Sequence, residues 1–412
     1  MKESGIEWIG KIPASWAVNT IFQLFRQVKN KNEGLIETNL LSLSYGKIKR
    51  KNIDTVGGLL PESFDGYNII EKNDIVIRLT DLQNDQKSLR VGLSTERGIV
   101  TSAYVTIRNI SDNKADYLYY YLHTFDVAKG FYGMGAGVRQ GLNWDGLKHL
   151  QITIPPLNEQ HRIADFLDRK CAEIDRVLEK TRASIEEYKK LKQSVITQAV
   201  TKGIRGEREM KECELEWIDE IPCEWTVTKA KWILHKLSRK LQDNDQIVIC
   251  SNSGKTFYRG DKNPGLVSLT ENGYQGVEVG DLLIHGMDTW HGAIAVSDIH
   301  GKCTSVVHVC DTNEDKKYIC FYLQSLAFRK VFKAITNGVR QNTSDYRSWD
   351  KVGTISIILP PVSEQTEISN YIEEKCHKID TLISQKEQLI TELEAYKKSL
   401  IYEYVTGKKE VQ

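Results

Sequence analysis

From Ile154 to about Gly203, apolar residues recur at alternating steps of four and three: Leu167, Cys171, Ile174, Leu178, then Ile185, Tyr188, then Val195, Ala199. Only Thr181 and Lys192 interrupt the series. This is the a/d seam of a coiled coil, sustained over more than four heptads. Pro155-Pro156 bars helix before it, and Asn158 reads as the N-cap, with acidic Glu159 in the first turn.

The same stretch occurs twice. Adding 205 to each number leads from Pro155-Pro156-Leu157-Asn158-Glu159-Gln160 to Pro360-Pro361-Val362-Ser363-Glu364-Gln365, and from Cys171, Asp175 and Lys192 to Cys376, Asp380 and Lys397. The second seam reads Ile372, Cys376, Ile379, Ile383, Ile390, Leu393, Leu400, Tyr404. A period that long is a duplicated domain plus helix, not a solenoid unit. Trp8-Ile9-Gly10-Lys11-Ile12-Pro13-Ala14-Ser15-Trp16 opens the first half, and Trp217-Ile218-Asp219-Glu220-Ile221-Pro222-Cys223-Glu224-Trp225 the second. Both read as Trp anchors buried against a core.

Between these markers, short runs bounded by Gly, Asn and Asp predict strands at 39–44, 74–79 and 99–107, and at 246–250, 281–285 and 305–309. Short helices are predicted at 116–124 and 317–325. The expected fold is mixed α/β: globular domains at 1–153 and 207–358, and long helices at 154–206 and 359–412 that pair as an antiparallel coiled coil. Residues 201–214, rich in charge and Gly, read as a linker. Antiparallel pairing would place Leu178 near Leu393, Ile185 near Lys386, Thr181 near Ile390 and Lys192 near Ile379, with the two polar residues turned to the rim or to a partner.

A chain of 412 residues exceeds what one core usually serves. Its formal charge of +1 does not mark a globally basic nucleic-acid binder, although local basic patches remain open. No run of 18 apolar residues and no signal-like N-terminus exist, which points to a soluble, cytoplasmic protein. The eight Cys contain no CxxC pair and read as reduced, structural residues.

Enzyme signatures fail on inspection. Gly254-Lys255-Thr256 ends like a P-loop, but its first Gly position is Ile249. Asn263-Pro264-Gly265-Leu266 and the Pro-Pro tracts lack residues that an amino-methyltransferase motif needs. His285, His291, His300, His308, Cys303 and Cys310 lack metal-ligand spacing, so no metal is expected. What remains is binding chemistry. Gly-bearing segments carry Arg139-Gln140 and Arg340-Gln341, where Gly admits close approach and Arg with Gln serves phosphates or base edges; a tight turn with a structural Arg is the even alternative. Lys47, Lys49, Arg50 and Lys51 form a basic run, with Tyr258, Arg259 and Lys262 as a loose counterpart; taken alone, a solvated loop is slightly the better explanation. Arg78 and Thr80, and His285, Trp290 and His291, follow the apolar runs that end near Ile77 and Ile284 and stand where readers would, although any one of them could equally be a surface residue.

The repeated P-P-[LV]-x-E-Q heading a heptad helix, behind two divergent domains that open on W-I-x-x-I-P-x-x-W, resembles the specificity subunit of type I restriction-modification enzymes, over essentially the whole chain. The resemblance implies two target recognition domains of mixed α/β fold that read the halves of a bipartite double-stranded DNA site. It implies helices that set the spacer and dock two methyltransferase (M) subunits, and further assembly with restriction (R) subunits. No catalysis and no cofactor of its own are implied; S-adenosylmethionine and ATP are used by the partner subunits. A fused methyltransferase or restriction enzyme is the alternative, against which the missing motifs weigh. A protein-binding coiled-coil scaffold would explain the helices but not two large divergent domains.

Overall fold

The computed structural model describes residues 1–52, 63–82, 85, 88–134, 141–260, 271–335 and 346–411. The chain divides into two compact units, Met1–Thr181 with Gln388–Gln412, and Arg182–Glu387. These units cut both long helices, so each combines one globular domain, the start of the helix that follows it, and the end of the other helix.

The globular part of the first unit is built on a four-stranded antiparallel sheet of β1 (Phe25–Gln27), β2 (Ile75–Ile77), β3 (Val91–Leu93) and β4 (Val105–Asn109), in the order β1-β4-β2-β3. The second unit repeats this with β5 (His235–Lys236), β6 (Leu282–His285), β7 (Ile294–Val296) and β8 (Val307–Asp311), in the order β5-β8-β6-β7. β2 is apolar throughout and buried on both faces, as an inner strand requires, and so is β6 up to its last residue, the half-buried His285. The strand predicted at 99–107 is two strands, Gly98–Val100 and β4, because a turn closed by Tyr104 N–H on the Thr101 carbonyl separates them. The short helices are present as α1 (Ala115–Val127) and α3 (Lys316–Phe328).

The long helices are α2 (Leu157–Lys202) and α4 (Val362–Val405). Asn158 is not the N-cap. The Pro156 carbonyl already accepts from the N–H of Glu159 and Gln160, at 2.9 and 3.0 Å, so helix starts one residue earlier and Asn158 lies in the first turn. In the first unit Leu167, Cys171, Ile174 and Leu178 of α2 share a core with Leu400, Ile401 and Val405 of α4, and Phe166 meets Tyr404 at 4.6 Å between ring centroids. In the second, Ile196, Ala199 and Val200 share a core with Ile368, Ile372 and Cys376. The early part of one helix thus meets the late part of the other, which is antiparallel pairing. Lys386 stands over the Tyr188 ring at 5.6 Å, one turn along from Ile185, beside which the sequence placed it.

Lys192 does reach the Ile379 level, but it does not turn to a rim. Its Nζ sits 2.7 Å from Asp380, and the repeat-related Lys397 Nζ sits 2.6 Å from Asp175. Burial pushes the Asp175 carboxyl up, yet the hydrogen bonds and charges of Lys397 and Lys47 outweigh it and hold the group below the ordinary carboxylate range. Thr181 is buried and donates to the Val177 carbonyl of its own helix at 2.8 Å, the local bond by which a hydroxyl is accommodated mid-helix.

The repeated E-Q pair is a joint between each helix and its domain. Gln160 accepts from Lys114 N–H at 2.9 Å and donates to Asn113 Oδ1 and the Pro155 carbonyl, at 2.7 and 2.9 Å. Gln365 accepts from Asp315 N–H at 3.0 Å and donates to Glu314 and the Pro360 carbonyl, at 2.6 and 2.9 Å. Glu159 accepts from Trp16 Nε1 at 3.1 Å and Glu364 from Trp225 Nε1 at 3.2 Å, so the second Trp of each opening pattern reports to the head of each helix. Tyr117, fully buried on α1, donates to the carbonyls of Thr153 and Val405, and Tyr318 on α3 to those of Ile358 and Val200. Residues 201–214 are pinned rather than loose: Arg208 pairs with Glu364 and Glu224, Arg205 with Glu367, and Met210–Glu212 forms a strand with Glu220–Pro222.

Candidate nucleic-acid interface

Each unit carries its candidate residues at the same places on its sheet. A buried carboxylate first fixes the turn into the inner strand. Asp74 accepts from Glu71 N–H and pairs with Arg108, while Asp281 accepts from Glu278 N–H and pairs with Arg239. The strand then runs out to a loop. In the first unit this loop carries Arg78, Thr80 and Asp81; Thr80 and Asp81 are exposed, and Asp81 has a φ of 53°. Arg78 is half-buried and pairs with Asp85 at 2.6 Å. Leu142 N–H donates to the Leu79 carbonyl at 2.9 Å, so the flank of the Gly-rich segment returns to this loop. Arg139 and Gln140 themselves lie outside the described residues.

The second unit does the same with different residues. Tyr346 N–H donates to the Gly286 carbonyl at 3.1 Å, just past β6, so the flank of the other Gly-bearing segment also returns to the strand end. Arg340, Gln341 and Lys262 lie outside the described residues. Room is tight here: a Cβ on Gly286 would stand 2.7 Å from the Tyr346 carbonyl oxygen. His285 Nδ1 accepts from Asp288 N–H at 3.1 Å, and burial holds the ring below its ordinary pKa, so it is set as a neutral acceptor on that side. Trp290 packs on the core with its Nε1 unpartnered, whereas His291 is exposed.

The basic run and its loose counterpart prove to occupy equivalent hairpins. Lys47–Arg50 pairs antiparallel with Leu41–Ser44, and Thr256–Tyr258 with Val248–Cys250. Lys49 and Lys51 are exposed. Lys47 reaches Asp175 at 3.3 Å, and Arg50 Nε donates to Glu96 at 2.9 Å, so these two are engaged within the unit. Tyr258 is exposed and donates to the His300 carbonyl at 2.9 Å, and Arg259 follows it, half-buried. The turn of the first hairpin lies against the 78–90 loop, where a Cβ on Gly46 would meet Leu89 at 3.1 Å.

Sequence reasoning missed the groups that shape these loops. Arg90, fully buried, donates to the carbonyls of Arg78, Thr80, Asp81 and Asp85 and stacks on Tyr132 at 5.0 Å. Its own N–H donates to Asp126, whose carboxyl burial pushes up to about 6. In the second unit His308 Nε2 holds the Tyr346 carbonyl at 2.8 Å, and His300 bridges Asp245 and Glu278, at 2.9 and 3.1 Å. No local pattern announces Arg90, because its acceptors are backbone carbonyls. Among the described residues no group of His, Cys, Asp and Glu is placed to hold a metal ion, and no helix is long and apolar enough to cross a membrane.

The fold and these surfaces define a duplicated recognition module: two like platforms, joined to two like helices, each presenting a different loop set. Comparison with known proteins gives the same class. Residues 13–187 match the type I restriction modification DNA specificity domain. The chain is 23% identical to the type I restriction enzyme MjaVIII specificity subunit of Methanocaldococcus jannaschii, over 98% of this chain and 95% of that one. It is also 23% identical to the StySPI specificity subunit of Salmonella potsdam, over 98% and 91%. Among solved structures, a chain from work on complex assembly and conformational transition of the type I R-M system superposes with a TM-score of 0.70 at 13% identity, over 97% of this chain and all of that one. The HsdS subunit of Thermoanaerobacter tengcongensis gives 0.50 at 14% identity, over 99% of this chain and all of that one. The chain is thus similar along nearly its whole length to specificity subunits of type I restriction-modification systems, and its residues 13–187 match their DNA specificity domain.

Proposed function

We propose that each globular domain reads one half of a bipartite double-stranded DNA site. The strand-end loop, the adjoining Gly-bearing segment and the basic or aromatic hairpin would do the reading, and the paired helices would set the spacer. Arg78, Thr80, Lys49 and Lys51 would serve the first half-site, with Arg139 and Gln140, and His285, His291, Tyr258 and Arg259 the second, with Arg340 and Gln341. The observation that carries this reading is the repetition of the joint: the same Gln, Glu–Trp and Tyr bonds build two equivalent platforms, whereas the loops they carry share almost no chemistry. Two platforms of one design with two different reading surfaces suit two different half-sequences.

Partner docking has its own support. One position before the seam, at heptad spacing, Val177 and Leu191 of α2 and Leu382, Leu389 and Tyr396 of α4 are exposed. Val177 and Leu191 map by the repeat onto Leu382 and Tyr396. Apolar residues kept outside the seam in both copies suit two copies of one partner, the methyltransferase subunits, which supply S-adenosylmethionine chemistry; ATP-driven restriction subunits join that assembly. The chain itself contributes recognition and no catalysis.

The test is one heptad inserted after Arg182 and one after Glu387, with the methyltransferase partner present and genome-wide methylation as readout. The ruler lengthens by about 10 Å, roughly three base pairs, while the seam stays in register. Both half-sequences should persist with a longer spacer, and the purified chain alone should transfer no methyl group. An unchanged spacer in an active double insertion refutes the ruler, and methyl transfer by the chain alone refutes the non-catalytic reading.

A further inference from the structure

We propose that Arg90 is the positioning residue for recognition of the half-site served by the first unit: it touches no DNA, but its buried guanidinium dictates the shape of the loop that does. This rests on the reading above that the loop carrying Arg78 and Thr80 faces DNA.

The geometry is specific. Nη1 donates to the carbonyls of Arg78 and Thr80 at 3.1 and 2.8 Å, and Nη2 to those of Asp81 and Asp85 at 3.1 and 2.5 Å. Nε donates to Tyr132 Oη at 3.1 Å, and that hydroxyl donates to the Asp85 carbonyl at 3.1 Å. All five guanidinium donor directions are thereby spent on one short stretch of backbone and the tyrosine that braces it. The loop needs such a clamp. Its carbonyls turn inward, Asp81 takes a left-handed backbone conformation, and its carbonyl accepts from Asp85 N–H at 3.2 Å as well as from the guanidinium. Arg90 is fully buried, so it is not itself a reader. The Arg78–Asp85 pair then forms on the clamped loop.

A lysine cannot replace it. An ammonium has three donors on a flexible stem and no planar fork, so it cannot span four carbonyls at these distances. The second unit shapes its loop by other means, with Asp288 N–H on His285 Nδ1 and Thr289 Oγ1 on the His285 carbonyl. Damage at Arg90 should therefore fall on one half-site alone. A merely structural residue would instead lower the yield and stability of the chain and weaken both half-sites together.

The experiment uses the chain assembled with its methyltransferase partner and measures methylation rates on duplexes that carry single substitutions in either half-site. Arg90→Lys is compared with Tyr132→Phe, which removes only the bridging hydroxyl, and with the double variant Arg78→Ala, Thr80→Ala. Arg90→Lys should lower discrimination by about tenfold at one half-site, and Tyr132→Phe by less at the same half-site, with the other half-site unchanged. Should Arg90→Lys fail to assemble, Tyr132→Phe decides by the same readout. Wild-type discrimination at both half-sites, or equal loss at both, overturns the proposal. If the double variant loses one half-site while Arg90→Lys and Tyr132→Phe do not, the clamp is wrong and the reading loop stands. If the double variant reads both half-sites as wild type does, the reading loop itself is wrong.

Discussion

Glu364 and Glu159 occupy the same place in the repeated motif, yet removing them should have very different consequences. Glu364 is almost fully buried and accepts from Arg208 Nη1 at 2.5 Å and from Trp225 Nε1 at 3.2 Å, with Arg205 3.9 Å away. The Glu364 hydrogen bond is the main reason the Arg208 pKa is raised. Glu159 is half-buried and accepts from Trp16 Nε1 at 3.1 Å. Glu364→Ala leaves a largely buried guanidinium with the exposed Glu224 as its remaining acid, at 2.6 Å. Breaking a buried pair from one end costs about 3–5 kcal/mol, and because Glu224 stays the lower end applies, about 3 kcal/mol. Glu159→Ala loses one hydrogen bond, about 1 kcal/mol. For a unit of this size that is a fall in Tm of about 10 °C against about 3 °C, read by calorimetry of the purified chain. Arg208→Ala combined with Glu364→Ala should recover part of the loss, since no uncompensated charge is then buried. Equal shifts for the two Glu variants, or strict additivity in the cycle, would refute the argument.

The two seam ion pairs and one half-buried histidine give further tests. Asp175→Ala should cost about 1 kcal/mol by leaving Lys397 in the seam without its carboxylate, whereas Asp175→Leu combined with Lys397→Met should be neutral or stabilising in urea unfolding. His123 packs on Tyr119 with Nδ1 unpartnered, and burial, aided by Lys397 and Lys398, pushes its pKa down to about 4. The unfolded chain then binds the extra proton between about pH 6.5 and 4, so stability falls as pH drops through that window. His123→Phe should remove about 1–3 kcal/mol of that fall, the ring being only half-buried, and a parallel pH-stability curve in the variant would count against it.

Much of the architecture was legible because it is periodic. The seam and the duplication follow from spacing and the antiparallel pairing from the layout of domain and helix, and Leu167, Cys171, Ile174 and Leu178 are buried as that spacing requires. The same spacing placed Lys192 beside Ile379 but could not say that Asp380 waits there, because the acid belongs to the other copy of the repeat. The Gln of the E-Q motif was visible as a repeat and opaque as a function. Two of its three partners sit in the turn before α1 or before α3, more than forty residues away. The reading surface was the least legible part. The hairpins holding Lys47–Arg50 and Thr256–Tyr258 were suspected only as loose counterparts, and Arg90, Tyr132 and His308 act through backbone carbonyls that carry no sequence signature.

The pattern of strict repeat against drift has a physical cause in the composition of each unit. Asp175 pairs with Lys397, and Asp380 with Lys192, so each ion pair takes its acid from one copy of the helix and its base from the other. Tyr117 likewise reaches the carbonyl of Val405, and Tyr318 that of Val200. A change at one of these positions is therefore answered by a residue of the other copy, and the two units stay equivalent only while both copies keep the same seam, joint and acid–base pair. Among the described residues the strand-end loops have no such partner in the other copy. Arg78, Thr80 and Asp81 are shaped by Arg90 of their own domain, and His285 by Asp288 and Thr289 of its own. Each strand-end loop can thus change without disturbing the other platform, which is the freedom that the proposed reading of two different half-sequences requires.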